Sequence, residues 1–248
     1  MGTQPAITVR ALGKRFGTAG LPALDDVNLT IERGEFVCLL GASGCGKSTL
    51  LNIIAGLEQP SSGSVELASG SAAVMFQESA LFPWLTARRN VELALRLRGV
   101  PRGERRAHAL ELLDVVNLAD AAEKRPHELS GGMRQRVALA RALAQDREVL
   151  LMDEPFAALD AITRDLLHEE LERVWREMSR TIVFVTHNVR EAARLGQRVV
   201  LMSSRPGRVV NEWRVADNGP RRIESPDVSR LSIEITEQLR KEIRRNAA

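Results

Sequence analysis

Residues 36–48 read FVCLLGASGCGKS, and no other stretch limits the possible fold as strongly. The apolar run Phe36-Val-Cys-Leu-Leu40 stops at Gly41, as expected of a strand buried on both faces in a parallel sheet. Gly41-Ala-Ser-Gly-Cys-Gly-Lys-Ser48 then fits the P-loop pattern G-x-x-x-x-G-K-[ST]. Glycines let backbone N–H groups converge on phosphate oxygens without a Cβ in the way. A helix opening at Lys47 adds unpaired N–H groups and the positive end of its dipole. Lys47 is placed to neutralise β- and γ-phosphates, and the Ser48 hydroxyl to ligate Mg²⁺. The candidate ATP-binding residues are Gly41, Ala42, Ser43, Gly44, Cys45, Gly46, Lys47, Ser48 and Thr49. A merely flexible loop is the competing reading, and the flanking strand and helix argue against it.

The remaining chain repeats this strand–helix rhythm. Val27, Leu29 and Ile31 alternate with polar residues, predicting a half-buried strand. A helix from Lys47 carries Leu50, Leu51, Ile53 and Ile54 and stops near Gly56; short strands follow at 64–67 and 72–76. Residues 86–116 read as two amphipathic helices split by Gly99-Val-Pro101, and another helix opens at Gly131-Gly132. Strands are then predicted at 148–152, 181–185 and 198–202, with a helix over 162–178 and a short one ending at Gly196. In the longer helix Ile162, Leu166, Leu171, Trp175 and Met178 are the apolar positions. Alternating strands and helices imply an α/β fold with a mainly parallel sheet covered on both faces. Residues 81–134 therefore read as a helical insertion into a core made of 1–80 and 135–215. Residues 216–248 form a tail, with a helix over 226–245, Ser225 as N-cap and Pro226 at its first position. Val228, Leu231, Ile235 and Leu239 fall on one face of that helix, which is expected to dock on its own domain; a partner or regulatory site is the alternative.

Three further places carry chemistry. Val149-Leu-Leu-Met-Asp153-Glu154 is an apolar strand ending in two carboxylates, where sheets of this kind bind ligands. Asp153 is placed to hold Mg²⁺ and Glu154 to polarise an attacking water. Leu129-Ser-Gly-Gly-Met-Arg-Gln-Arg136 is a second Ser/Gly-rich helix start, able to cradle phosphates by the same physics. Since only one Lys-bearing loop and one Asp-Glu strand end are present, it would serve a nucleotide held by another copy; a plain Ser-Gly-Gly loop is the alternative. His187 and Gln77 each follow an apolar strand. They could reach a γ-phosphate and Mg²⁺ respectively, or be a helix-capping histidine and a surface glutamine. Cys45 precedes Gly46-Lys47 at a helix N-terminus, which predicts a lowered thiol pKa and a reactive group; an inert thiol beneath the loop is the alternative.

Composition bounds the rest. The 248 residues are 44% hydrophobic and 27% charged, ordinary for one large globular unit. No apolar run is long enough for a transmembrane helix, and the first residues lack a secretory pattern. The net charge of +3 is spread among interleaved acids and bases, which argues against nucleic acid as a partner. Two cysteines, Cys38 and Cys45, make a disulfide framework unexpected and fit a reducing compartment.

In this combination and order the motifs resemble the ATP-binding cassette family of transporter ATPases, over about residues 5–215. The resemblance implies a P-loop ATPase core with an N-terminal antiparallel β subdomain and an inserted helical subdomain. It implies that Ser130, Gly131 and Gly132 belong to the signature motif, that Gln77 is the Q-loop glutamine and His187 the switch histidine. Ala158-Leu-Asp160 becomes the D-loop, and Phe16 stands where the family stacks an aromatic on adenine, usually a tyrosine. After His187 the family usually has Asp, where this chain has Asn188. Implied too are a head-to-tail homodimer holding two ATP molecules, transmembrane permease partners, and a peripheral position at the cytoplasmic face of the cell membrane. Phe82-Pro83-Trp84, two aromatics in a junction that would normally be polar, then read as the groove accepting a permease helix. Packing of the insertion onto the core is the alternative. A finer resemblance, to importer ATPases for nitrate, sulfonates and taurine, rests on residues 76–86, 152–163 and 203–208. It implies an indirect partner, a solute-binding protein. An exporter or lipid-transport cassette, or a cassette acting on ribosomes or DNA, are the competing functions.

Overall fold

A computed structural model describes residues 4–17, 21–215 and 221–247, with side chains to 245. Its larger sheet has six strands in the order β5-β6-β7-β3-β8-β9. These are β3 (Phe36–Leu40), β5 (Ala72–Met75), β6 (Val149–Asp153), β7 (Thr181–Thr186), β8 (Arg198–Met202) and β9 (Val209–Arg214). All neighbours run parallel except β9, which pairs antiparallel with β8. The smaller sheet is antiparallel, with β1 (Ile7–Lys14) between β2 (Leu24–Ile31) and β4 (Ser62–Leu67).

β3 shows why the sheet needs covering on both faces. Phe36, Cys38 and Leu40 enter one apolar cluster, and Val37 and Leu39 enter the other, because side chains alternate along a strand. All five are buried. The second cluster joins the small sheet and α1 (Lys47–Ile54). The first holds α2 (Ala87–Leu97), α3 (Arg105–Val115) and α4 (Gly131–Leu143), together with α5 (Ala161–Met178) and α6 (Val189–Leu195). At its centre Phe36 meets Trp175 edge-on with ring centroids 5.6 Å apart, and Phe184 lies between Phe36 and Phe156 at about the same spacing.

Between β5 and β6 the described chain forms helices and loops and no strand, with α2, α3 and α4 as its α-helices. Buried Asn90 in α2 holds its entrance: its Oδ1 accepts from Phe82 N–H at 2.8 Å, and its Nδ2 donates to the Phe82, Leu85 and Thr86 carbonyls. The tail forms α7 (Pro226–Ala247), capped by Ser225, whose hydroxyl accepts from Val228 N–H. Val228 and Ile235 are fully buried, and Leu231 and Leu239 pack against the same cluster. Trp213 of β9 donates to Glu234 of α7 at 2.7 Å. The apolar face of the tail is thus docked on its own chain.

Two expectations need correction. In α5, Ile162 and Leu166 are exposed, and the buried line runs through Leu167, Leu171, Val174 and Trp175 instead. The sequence stripe joined two registers; only the second faces the sheet. β1 and β9 were also not anticipated. β1 is broken by register shifts and by Ala11 in the left-handed region (φ 45°), which spoil its alternation, and β9 is a charged edge strand. No helix among the described residues is long and apolar enough to cross a membrane.

Candidate active site

The loop 41–46 leaves β3 and turns into α1. Gly46 sits at φ 98°, and a Cβ there would stand 2.8 Å from the Ala23 carbonyl, so this position admits only glycine. Lys47 is nearly fully buried, with its Nζ donating to the carbonyls of Gly41 at 2.9 Å and Ala42 at 3.1 Å. Phe16, Ser43, Gly44, Gly46, Lys47, Ser48, Thr49, Glu154 and Arg205 line a common cleft of about 340 Å³. Phe16 is half exposed, and the Lys14 ammonium lies 4.9 Å from its ring centroid. Arg205 was not anticipated, since an arginine in a Pro-Gly turn carries no chemical signature by itself.

Cys45 contradicts its predicted reactivity. It is buried, and desolvation pushes its thiol up despite the nearby Lys47 charge and N–H groups. The sulfur packs under the loop, where a Cβ on Gly41 would come within 2.6 Å of it.

At the end of β6, burial raises the Asp153 carboxyl above its ordinary range, opposed by a hydrogen bond from the Ser48 hydroxyl and raised further by Glu154. Glu154 adopts φ 45° and donates its N–H to Val185 O at 3.0 Å. A non-glycine held in this region stores strain of the kind found at functional sites. The conformation aims the carboxylate at β7, where Glu154 Oε2 lies 2.8 Å from His187 Nδ1. Behind the histidine a buried network fixes the turn. Thr186 Oγ1 donates to Glu191, whose other oxygen is 2.5 Å from His168 Nε2. Asn188 caps α6, its Oδ1 accepting from the Arg190 and Glu191 N–H groups. An Asp carboxylate would cap in the same way, so the amide leaves this turn intact. His168 and Glu191 escaped the sequence reading because a buried polar pair on two helices leaves no local pattern.

The other candidates lie apart from this cleft. Gln77, Gly131 and Leu159 line a second cleft of about 620 Å³, with Gln135 Nε2 donating to Gln77 O at 2.8 Å. Ser130 caps α4, its Oγ accepting from Met133 N–H at 3.2 Å. Gly132 packs so closely on α5 that a Cβ would meet Thr163 at 2.4 Å. Asp160 caps α5, and the Thr163 N–H holds its carboxyl below the usual range. One copy of the chain therefore gathers Phe16, the loop and Glu154 in one cleft, with Asp153 bonded to Ser48 and His187 to Glu154, while Gln77, Gly131, Ala158 and Leu159 line a different one; Ser130, Gly132 and Asp160 are their neighbours in sequence.

A family model described as ABC transporter matches residues 24–157 of this chain. The chain belongs to the ABC transporter family. Among its ABC transporter relatives is the "Taurine import ATP-binding protein TauB" of Jannaschia sp. (strain CCS1), 44% identical over 86% of this chain and 84% of the relative. The "Nitrate import ATP-binding protein NrtD" of Synechocystis sp. is 49% identical over 81% of this chain and 77% of its own length. Among solved structures, the ATP-binding cassette MJ0796, in a dimeric post-hydrolysis state bound to ADP and Pi, superposes with a TM-score of 0.73. It is 36% identical over 85% of this chain and 99% of its own. The cassette cbiO1 of Clostridium perfringens gives a TM-score of 0.78 at 27% identity, over 86% of this chain and 89% of that one.

Proposed function

We propose that this chain is the ATP-hydrolysing subunit of an importer for a small anion of the nitrate, sulfonate or taurine class. One observation carries the catalytic part: the Glu154 carboxylate, set by a left-handed backbone beside half-buried Asp153, is held 2.8 Å from His187. In this reading Phe16 stacks on adenine, and the loop 41–49 with Lys47 holds the phosphates. Glu154 takes the proton of the attacking water, while His187 orients Glu154 and contacts the γ-phosphate. Ser48 and Asp153 would hold Mg²⁺, which would supply charge neutralisation to the bound phosphates; Gln77, expected from the sequence to join them, lines the second cleft in this structure. The donor set suits this ion. Ser48 and Asp153 offer hard oxygens, and no cluster of three or more His, Cys, Asp or Glu occurs among the described residues. Such a sparse set fits a cation that keeps waters and takes phosphate oxygens.

The separate cleft lined by Gln77, Gly131, Ala158 and Leu159 supports a head-to-tail homodimer, in which α4 of one copy, with Ser130, Gly131 and Gly132 at its start, closes on the nucleotide of the other. A dimeric relative of this fold is consistent with it. We divide the chain into a core (1–80 and 135–215), a helical subdomain (81–134) and a tail (216–248). Permeases would bind the helical subdomain at the cytoplasmic face of the membrane, with a solute-binding protein acting on them. The importer and its solute class rest on the named relatives.

The test is Glu154→Gln in the purified chain. Turnover should fall by on the order of 10²- to 10⁴-fold, as for loss of a general base, with ATP affinity retained. Turnover near the wild-type rate would remove Glu154 from this role. For the solute, reconstitution with its permeases should give uptake of taurine or nitrate; uptake of neither, with another solute carried, would overturn the class.

A further inference from the structure

Arg205 is unlike the other arginines around it. Arg208 pairs with Asp25, and Arg198 with Glu35 and Glu212. Arg205 donates from Nη2 to the Leu21 carbonyl at 3.1 Å, and no carboxylate among the described residues lies within ion-pair distance of it. Arg205 lines the nucleotide cleft with Phe16, Ala23 and the loop glycines. Among the residues lining that cleft, the other cation is Lys47, which is turned onto the loop carbonyls.

The turn that carries Arg205 is fixed. Ser203 Oγ donates to Pro206 O at 2.7 Å and accepts from Arg208 N–H at 2.9 Å. Gly207 N–H donates to Ala23 O, and Asp25 N–H to Gly207 O. Gly207 packs so tightly that a Cβ would stand 2.1 Å from the Cys45 carbonyl, so the turn rests directly on the phosphate loop. Leu21 and Ala23 follow the segment that carries Phe16. Arg205 is thus tied to Leu21, on the stretch of chain that follows Phe16.

We infer that Arg205 is a nucleotide-binding residue, donating to the ribose–α-phosphate part of a nucleotide whose base stacks on Phe16. This rests on the nucleotide reading of the cleft. A planar guanidinium with unused donors fits such a group, and its charge is matched by the phosphate instead of by a protein carboxylate.

The experiment measures MgATP kinetics, with ADP and inorganic tripolyphosphate as competitors, for Arg205→Ala, Arg205→Lys, Arg205→Gln and Lys47→Ala. Arg205→Ala should raise the ATP KM and the ADP inhibition constant by about tenfold, the loss of one charge-assisted hydrogen bond. Its kcat should stay within about twofold, and tripolyphosphate inhibition should weaken less than ADP inhibition, because that ligand keeps a phosphate in the α position but lacks the ribose. Arg205→Lys should recover part of the loss. Arg205→Gln keeps a donor for Leu21 O without the charge and should not recover it. Full recovery by Arg205→Gln would reduce the residue to a brace for the 21–23 segment and overturn the inference. An unchanged KM in Arg205→Ala would also overturn it, provided that Lys47→Ala abolishes ATP turnover. If Lys47→Ala leaves turnover intact, the nucleotide reading itself falls.

Discussion

Glu154 and Cys45 show how far single residues can be read from their neighbours in sequence. For Glu154 the strand end and the adjacent Asp153 suffice, because both carboxylates are placed by one backbone. Its contact with His187 is legible only in outline: two strands must lie side by side, as β6 and β7 do, before a 2.8 Å approach exists. For Cys45 the local signals point the wrong way. The helix start and Lys47 favour thiolate, but burial under Gly41 outweighs them. Burial is a property of the folded loop and leaves no mark in the motif. With the thiol pushed up and only 1% exposed, a maleimide at neutral pH should modify native Cys45 no faster than it modifies buried Cys38. Mass spectrometry after a timed reaction checks this. Rapid, selective labelling of Cys45 with loss of ATPase would restore the reactive reading.

At the scale of elements, period and punctuation place the buried strands and most helices. β3, β6, β7 and β8 are continuous apolar runs, and Thr86, Ser130, Asp160 and Ser225 each mark a helix start. Elements whose pattern is interrupted escape, as β1 and β9 do. In α5 the pattern misleads, because Ile162 and Leu166 continue the apolar count on a face that this chain leaves exposed. α7 is the opposite case: its stripe, Val228 to Leu239, predicts docking, and the helix lies against α6 and β9. Ile235→Ala should therefore cost about 2–4 kcal/mol, through lost burial and a residual cavity. In a chain of this size that is roughly 5–15 °C in melting temperature. Differential scanning calorimetry measures it, and ATPase per folded molecule should be unchanged. A melting temperature equal to wild type would mean that α7 is not docked in solution.

At the scale of the whole molecule, the nucleotide cleft and the exposed aromatics ahead of α2 are distinct features of the surface. Phe82 and Trp84 pack in a tilted pair with centroids 5.5 Å apart, and Trp84 is 67% exposed on a loop that hydrogen-bonds to Asn90. Core aromatics would be buried, so the packing alternative is disfavoured. Phe82→Ser with Trp84→Ser should cost only about 1 kcal/mol, near the range of surface changes. It should leave ATPase of the isolated chain intact and abolish co-purification with the permeases. A double variant that unfolds or aggregates would return these rings to the core. We propose that each active site is completed by a second copy, since Gly131, at the start of α4, lines a cleft separate from that of the phosphate loop. The direct test is size-exclusion chromatography with light scattering on Glu154→Gln, which binds ATP without consuming it. With MgATP the variant should elute as a dimer, and adding Ser130→Arg, which blocks the α4 start, should return it to monomer. A monomer that binds ATP with full affinity, or a dimer indifferent to both ATP and Ser130→Arg, would contradict the account.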